Sequence, residues 1–151
     1  MATLNIYQKI SRYCAYRERS EEEVVQKLKQ LGATGNDIRQ NLLLLKAENF
    51  IDNNRFAFAF VRGKFNNNKW GRLKIKAALQ QKGVDKAIIA EALQQIDEHE
   101  YSATLRRVLA KKAALIKAET PAKARASLMR FAYSKGFEPG LISAQLASLK
   151  F

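Results

Sequence analysis

The chain has 151 residues, of which 47% are hydrophobic and 27% charged, and its formal net charge is +13. This composition is typical of a folded protein and excludes a largely disordered chain, and a single cysteine with a single histidine excludes an intramolecular disulfide and a Cys/His metal set. No run approaches the roughly 20 apolar residues of a membrane span, and no signal-peptide pattern is present, so we expect a cytoplasmic protein without a membrane partner.

A hydrophobic pattern anchored on a glycine occurs three times. In each copy an aliphatic residue stands eight positions before the glycine, and others stand six, ten and thirteen positions after it. The copies are Val24, Gly32, Ile38, Leu42 and Leu45; Ile75, Gly83, Ile89, Leu93 and Ile96; and Leu128, Gly136, Ile142, Leu146 and Leu149. Such repetition is typical of tandem units that pack on their neighbours. The sequence therefore predicts an all-α, elongated and curved body of three tandem three-helix units, residues 1–51, 52–96 and 97–151.

The first unit begins with an apolar stripe from Ile6 that predicts a short helix. Ser20, followed by three glutamates, resembles a capping box and predicts the start of a second helix. That helix ends at Gly32, which suits a left-handed C-terminal cap. After a turn at residues 33–36, a third helix is expected from Asp37.

The second unit opens with Asp52 and Asn53, both good N-cap residues. We expect a loop at residues 66–68, because three consecutive asparagines compete with the helix for backbone hydrogen bonds. A helix from about residue 70 to 82 then closes at the repeat glycine, and a third helix covers residues 85–96.

In the third unit a longer helix is predicted from about residue 98 to 118. Thr120 and Pro121 form an N-cap and N1 pair that starts the next helix, because proline needs no amide partner in the first turn. Pro139 starts the last helix after the third repeat glycine. No segment shows sustained period-two alternation, so no sheet is expected.

The positive charge is unevenly distributed. Residues 1–51 contain 8 basic and 6 acidic residues, residues 52–96 contain 9 and 3, and residues 97–151 contain 10 and 5. Such an excess favours an anionic partner, either phosphates or an acidic protein surface. The alternative is that the charge serves only solubility.

The second unit carries six cations within fifteen residues, with no acidic residue between Asn53 and Val84. On a helix, Lys69, Arg72 and Lys76 share one face. We interpret this cluster as a partner- or DNA-binding surface, and the alternative is an ordinary solvated helix face. Its members are Arg62, Lys64, Lys69, Arg72, Lys74 and Lys76.

Two further features belong to the predicted site. Trp70 could stack on a base, anchor a protein interface or, as the favoured interpretation, pack against the preceding helix. Gly71 beside it permits a close approach of another backbone. A second basic cluster consists of Arg106, Arg107, Lys111 and Lys112, of which the first three are assigned to the predicted site.

Catalysis finds little support in the sequence. A Cys14 and His99 pair would need an orienting third group, and the tyrosines on either side of Cys14 indicate a small buried thiol instead. No phosphate-binding loop, paired-carboxylate motif, nucleophile elbow or metal-ligand spacing is present. We therefore predict a protein that is not an enzyme and has no cofactor or metal.

The order of several residues along the chain resembles the RecX family. The most specific stretch is an aromatic residue followed by Asp-x-x-Arg-Phe-Ala, here Phe50 and residues 52–57. The chain departs from the family pattern in the loop from Phe65 to Trp70, where it has three asparagines, and in the Ala-rich first helix of the third unit. The other matching residues are Arg17, Ser20, Glu21, Leu28, Gly32, Ile38, Ile51, Phe60, Val61, Gly71, Leu79, Gly83, Lys135, Gly136, Phe137, Leu141 and Ile142.

The resemblance implies a bacterial regulator of the RecA recombinase, acting in recombination, DNA repair and the SOS response. Members of the family are tandem three-helix proteins that bind along the groove of the RecA nucleoprotein filament and restrain ATP hydrolysis, strand exchange and filament growth; some also bind DNA. We expect a monomer that binds this filament. The alternatives are a stand-alone DNA- or RNA-binding helical protein that acts without RecA, and an inert structural protein.

Overall fold

A computed structural model describes residues 5–149, and within that range the chain forms nine α-helices and no strand. The prediction of an all-α protein is confirmed. The helices are α1 (Ile6–Tyr16), α2 (Glu21–Gln30), α3 (Gly35–Ala47), α4 (Asn53–Asn68), α5 (Arg72–Gln81), α6 (Lys86–Gln94), α7 (Glu98–Ala113), α8 (Pro121–Ser134) and α9 (Pro139–Ala147).

The described residues form two compact units. Unit 1 contains the residues up to Phe60 together with Leu79–Ala92, and unit 2 contains Val61–Ala78 together with the residues from Leu93 onward. Within unit 1, α2 packs against α1 and α3; within unit 2, α7, α8 and α9 pack against one another. The bounds of the three predicted three-helix units stay a prediction.

Each unit has its own core. The core of unit 1 is aliphatic and contains Ile10, Cys14, Val24, Leu28, Leu45 and Ile51. In unit 2 the ring of Tyr101 lies between Phe65 and Phe137, with ring centres 5.8 and 5.2 Å away. Tyr101 and Phe137 are almost completely buried, as are Leu105 and Leu128. Burial of these side chains removes apolar surface from water and is the main stabilising contribution in either unit.

The three repeat glycines end their helices in the same way. Gly32, Gly83 and Gly136 have φ values of +86°, +75° and +101°. Each donates its N–H to the carbonyl three residues earlier, and the following residue donates to the carbonyl five residues earlier, over 2.9 to 3.2 Å. This is the Schellman arrangement, whose left-handed residue has no steric penalty when it is glycine. The predicted left-handed caps are confirmed.

The helix starts predicted at Ser20, Asp52 and Thr120–Pro121 are also confirmed. Ser20 accepts a hydrogen bond from the Glu23 N–H while the Glu23 carboxylate accepts one from the Ser20 N–H. One carboxylate oxygen of Asp52 accepts the first N–H groups of α4, and Thr120 caps α8 with Pro121 at its first position. Each cap satisfies amides that would otherwise have no partner in the helix.

Some predicted boundaries were wrong. The helix expected from Asp37 after a turn at residues 33–36 starts at Gly35, because the Thr34 side chain caps it by accepting the Asp37 N–H. The asparagines at 66–68 continue α4 instead of forming a loop, because Val61 and Phe65 are buried on that helix and asparagine costs only a few tenths of a kcal/mol there. The helix ends at Asn68, Lys69 turns into the left-handed region with φ +56°, and α5 starts only at Arg72.

The first helix of the third unit ends at Ala113 rather than near residue 118. Leu115 and Ile116 donate their N–H groups to carbonyls three residues earlier, which tightens the chain out of the α-helix. Leu115 is 71% exposed, so no burial of its side chain holds this segment in a longer helix.

Arg55, from the most specific family stretch, has a role within unit 1. Its guanidinium donates to the Glu18 carboxylate at 2.6 Å and to the carbonyls of Asn49 and Phe50 at 3.1 and 3.3 Å. Arg55 therefore joins the start of α4 to the end of α3 and to the α1–α2 loop. Asp52 accepts its backbone N–H instead of pairing with its side chain.

Cys14 is buried in unit 1, as the sequence indicates. Burial raises the pKa of its thiol to about 11, although the Arg19 charge lowers it and the Glu18 charge raises it further. A thiol with such a pKa stays protonated at neutral pH and is a poor nucleophile.

We expect iodoacetamide at pH 8.5 to alkylate Cys14 of the native protein at least about a hundredfold more slowly than the same residue in urea. At this pH about half of an ordinary thiol is ionised, whereas a thiol of raised pKa is almost entirely protonated and is also covered by the core. Intact-mass spectrometry over time measures both rates. Rapid alkylation without unfolding would contradict a buried, unreactive thiol.

Candidate functional site

The start of α5 fixes the position of the basic segment in unit 2. This end has no capping Ser, Thr, Asn or Asp, and other parts of unit 2 take its first amides instead. Gly71 N–H donates to the Lys135 carbonyl at 2.8 Å and Leu73 N–H to the Gly136 carbonyl at 2.9 Å. Arg72 N–H donates to the Tyr101 hydroxyl at 3.0 Å. The positive end of α5 thus meets the negative end of α8, an arrangement that helix dipoles favour.

Two glycines allow this contact. A Cβ on Gly71 would lie 2.4 Å from the carbonyl carbon and oxygen of Gly136, and a Cβ on Gly136 would lie 2.4 Å from the Cβ of Lys74. Both distances are far inside van der Waals contact. The inference that Gly71 permits a close backbone approach is confirmed.

Arg72 is held inside unit 2 by three side chains. Its guanidinium forms ion pairs with Glu98 and, at 2.7 Å, with Glu138, and lies 3.8 Å from the ring centre of Tyr101. The Tyr101 hydroxyl in turn hydrogen bonds to Glu138. The Arg72 side chain is only 19% exposed. Two carboxylates compensate its charge, so we leave Arg72 out of the proposed contact surface.

The pKa values in this cluster follow from its geometry. Burial alone would lower the pKa of Arg72, but its hydrogen bonds to Glu98 and Glu138 raise it above the usual value. Burial, and then the hydrogen bond to Glu138, raise the pKa of Tyr101. Arginine and tyrosine both keep their protons at physiological pH, so the cluster is a fixed structural element.

Trp70 lies between two cations instead of in the core. The ammonium nitrogens of Lys64 and Lys74 are 4.7 and 4.5 Å from its ring centre, within the range of cation–π attraction. The ring is half-buried, so the favoured prediction is confirmed in part: Trp70 contacts Lys64 of the preceding helix, but its ring is not in the core. Lys64, Trp70 and Lys74 are called the Trp70 cluster below. Tertiary structure brings its members together from α4, the α4–α5 connection and α5.

Lys69 belongs to a second group of cations in unit 2. Its ammonium donates to the Asn66 carbonyl at 2.6 Å, and its side chain lines one cavity with Lys111 and another with Arg107. The remaining predicted cations Arg62, Lys76 and Arg106 are exposed on their helices.

Sequence reasoning missed Lys135 as a member of this group. Its ammonium donates to the carbonyl of Asn68, the residue next to Lys69, at 2.8 Å. Lys135 comes 66 positions after Lys69 in the chain. Burial, and then the nearby charge of Lys74, lower the pKa of Lys135. No local pattern could have indicated this, because only the docking of α8 on the start of α5 brings Lys135 there.

The charge is concentrated in unit 2. Its described residues include 15 Lys and Arg against 5 Asp and Glu, whereas those of unit 1 include 11 against 9. The surface of unit 2 therefore attracts anions. Within residues 5–149, no helix has the length and apolarity needed to cross a lipid bilayer. Nor do any three His, Cys, Asp or Glu side chains in that range form a group that could hold a metal ion.

Comparison with known proteins shows which class of protein this is: the chain matches proteins of three successive three-helix domains. Models of the first, second and third three-helix domains of RecX match residues 7–40, 52–93 and 99–146. The chain belongs to the RecX family.

Several curated relatives are similar over most of this chain. It is 34% identical to the regulatory protein RecX of Geobacillus kaustophilus and 33% identical to that of Geobacillus thermodenitrificans, in each case over 93% of this chain and 52% of the relative. It is 30% identical to the RecX of Oceanobacillus iheyensis over 87% of this chain and 48% of the relative. The chain thus spans about half the length of these relatives.

Two solved structures share the fold. A crystal structure of a regulatory protein RecX matches 95% of this chain and 72% of its own, with a TM-score of 0.87 and 22% identity. The crystal structure of RecX from Lactobacillus salivarius matches 95% of this chain and 94% of its own, with a TM-score of 0.85 and 23% identity.

We expect Gly71→Ala to lower the free energy of unfolding by about 1–3 kcal/mol, because the added methyl group meets the backbone of Gly136. Gly63→Ala is the matched control: Gly63 lies inside α4 with no atom within 4 Å of an added Cβ, so alanine should stabilise by about 0.5–1 kcal/mol. Urea unfolding followed by circular dichroism measures both. Equal effects would contradict the close backbone contact.

We expect Arg72→Gln to destabilise the protein by roughly 2 kcal/mol, because two carboxylates lose a charged hydrogen-bond partner. Lys76→Gln, on the exposed face of the same helix, should change the free energy of unfolding by less than about 0.5 kcal/mol. The same urea-unfolding measurement compares the two variants. An unchanged free energy of unfolding for Arg72→Gln would show that the ion pairs do not stabilise the protein.

Proposed function

We propose that this protein regulates the RecA recombinase by binding the RecA–DNA filament, where it restrains ATP hydrolysis and strand exchange. Family membership supports a regulatory role, since the curated relatives are named regulatory proteins. The proposal covers the processes that depend on the filament: homologous recombination, DNA repair and the SOS response. It includes a cytoplasmic location, action as a monomer and the absence of catalysis.

The observation that carries this proposal is the Trp70 cluster. Two ammonium groups lie within 5 Å of one partly exposed indole ring, on a unit whose basic residues outnumber its acidic ones 15 to 5. Cations beside an aromatic ring can bind a nucleic-acid strand whose phosphates and bases are both accessible. They can equally bind an acidic protein surface. A RecA–DNA filament offers both.

The rest of the proposed contact surface consists of exposed cations of unit 2. The docked start of α5 holds the Trp70 cluster in place before a partner arrives, which reduces the entropy lost on binding. The members of the surface besides the Trp70 cluster are Arg62, Lys69, Lys76, Arg106, Arg107 and Lys111.

A second candidate is a stand-alone DNA- or RNA-binding protein that acts without RecA. The same cations favour it, because release of counterions from phosphates needs no protein partner. The two functions differ in what they require: only the first predicts an effect on RecA at protein concentrations well below one molecule per RecA subunit.

We expect the protein to inhibit RecA-catalysed ATP hydrolysis on single-stranded DNA at substoichiometric concentration. The double substitution Lys64→Gln and Lys74→Gln should raise the concentration needed for half-inhibition about tenfold, since two cations of the contact are lost. A coupled assay of ADP release measures both.

The control is the double substitution Lys29→Gln and Lys86→Gln, which removes the same charge from exposed positions of unit 1. It should inhibit like the unaltered protein. Absence of inhibition by the unaltered protein, together with tight binding to DNA alone, would favour the second candidate. Equal weakening by both double substitutions would remove the Trp70 cluster from the contact.

A further inference from the structure

A cavity of unit 2 is lined by apolar side chains and lysines, which are called its floor and its rim below. Its volume is about 280 Å³, and the floor consists of Val108, Leu115 and Phe131. The cavity is slightly smaller than the roughly 300–1,000 Å³ that enclose a whole small-molecule ligand, so its size suits one large side chain. Leu115 is 71% exposed in the segment that leaves α7, which keeps the floor open to solvent.

The other residues that line this cavity are all lysines: Lys69, Lys111, Lys112 and Lys135. No acidic residue is among the described residues that line it. An apolar floor inside an unbalanced positive rim is complementary to an apolar side chain with negative charges on either side. A purely apolar partner would leave the lysines uncompensated.

The chemistry of the floor disfavours a nucleic-acid base. The only aromatic ring, Phe131, already has the Lys112 ammonium 4.8 Å from its ring centre. The lining side chains offer ammonium groups but no amide, hydroxyl or carboxylate that could read the edge of a base. A base inserted there would leave polar edge atoms unpaired, at a cost that an aliphatic or aromatic side chain avoids.

We infer that this cavity binds an acidic peptide segment that inserts one large apolar side chain between the lysines. The apolar side chain packs on Leu115, Val108 and Phe131, while carboxylates beside it pair with the lysine rim. This inference does not depend on a RecA filament, because it concerns a peptide and the protein alone. It adds to the proposed function a docking site for an acidic peptide segment.

The test uses a fluorescein-labelled hexapeptide of leucine and phenylalanine with two aspartates on either side, titrated with the full chain and followed by fluorescence anisotropy. We expect saturable binding that Leu115→Ser weakens about tenfold, because the exposed part of the floor is removed. Leu141→Ser is the matched control: Leu141 is 40% exposed on α9 and does not line the cavity, so its substitution should leave binding unchanged.

A second pair of variants tests the rim. Lys111→Gln should weaken binding several-fold, whereas Lys86→Gln, an exposed lysine of unit 1, should not. A peptide with serines in place of leucine and phenylalanine should bind at least about tenfold more weakly than the original. Equal binding of the two peptides would overturn the inference, as would an unchanged affinity of Leu115→Ser.

A 12-nucleotide oligothymidylate provides the last comparison. Its binding should be insensitive to Leu115→Ser, since a phosphate chain needs only the cations. If Leu115→Ser weakened oligothymidylate binding and not peptide binding, the occupant would be nucleic acid and the peptide inference would be wrong. If the double substitution Lys64→Gln and Lys74→Gln abolished RecA inhibition but left peptide binding normal, the peptide site would be distinct from the Trp70 cluster of the proposed function.

Discussion

The meeting of two helix ends in unit 2 determines where its basic residues lie. The amides of Gly71 and Leu73 at the start of α5 bond to the carbonyls of Lys135 and Gly136, which follow α8, so the end of α8 supplies the cap that the start of α5 lacks. Two glycines make the approach possible, because a side chain at Gly71 or Gly136 would overlap its neighbours. The contact joins residues from the second and third RecX domains within one compact unit.

Arg72 shows how a charge-rich sequence separates structural from available cations. Arg72 pairs with Glu98 and Glu138 over the ring of Tyr101, which supplies a hydroxyl to the same helix start. Its neighbours Lys74 and Lys76 are exposed. A cation whose charge is balanced by two carboxylates contributes little to the field around the protein, so the attraction for anions comes from the lysines and exposed arginines.

The arrangement of unit 2 suits a regulator that acts by binding. The Trp70 cluster offers cations beside an aromatic surface, and the neighbouring cavity offers lysines around an apolar floor. We propose that these two chemistries recognise different features of an anionic partner, the charge of a phosphate chain and an apolar side chain in an acidic segment. A partner that presents both gains affinity from two contacts on one unit.

The sequence by itself determined the helical class, the caps and the family, because these depend on local chemistry. Gly32, Gly83 and Gly136 can adopt left-handed φ without strain, and Ser20, Asp52 and Thr120 bond to amides within three residues. The loop predicted at residues 66–68 is part of α4, because burial of Phe65 outweighs the weak helix propensity of asparagine. Only the tertiary structure decided that Lys64 of α4 approaches the same Trp70 ring as Lys74, that Arg72 pairs with Glu138 and that Lys135 lines a cavity with Lys69, since the last two contacts connect residues 66 positions apart in the chain.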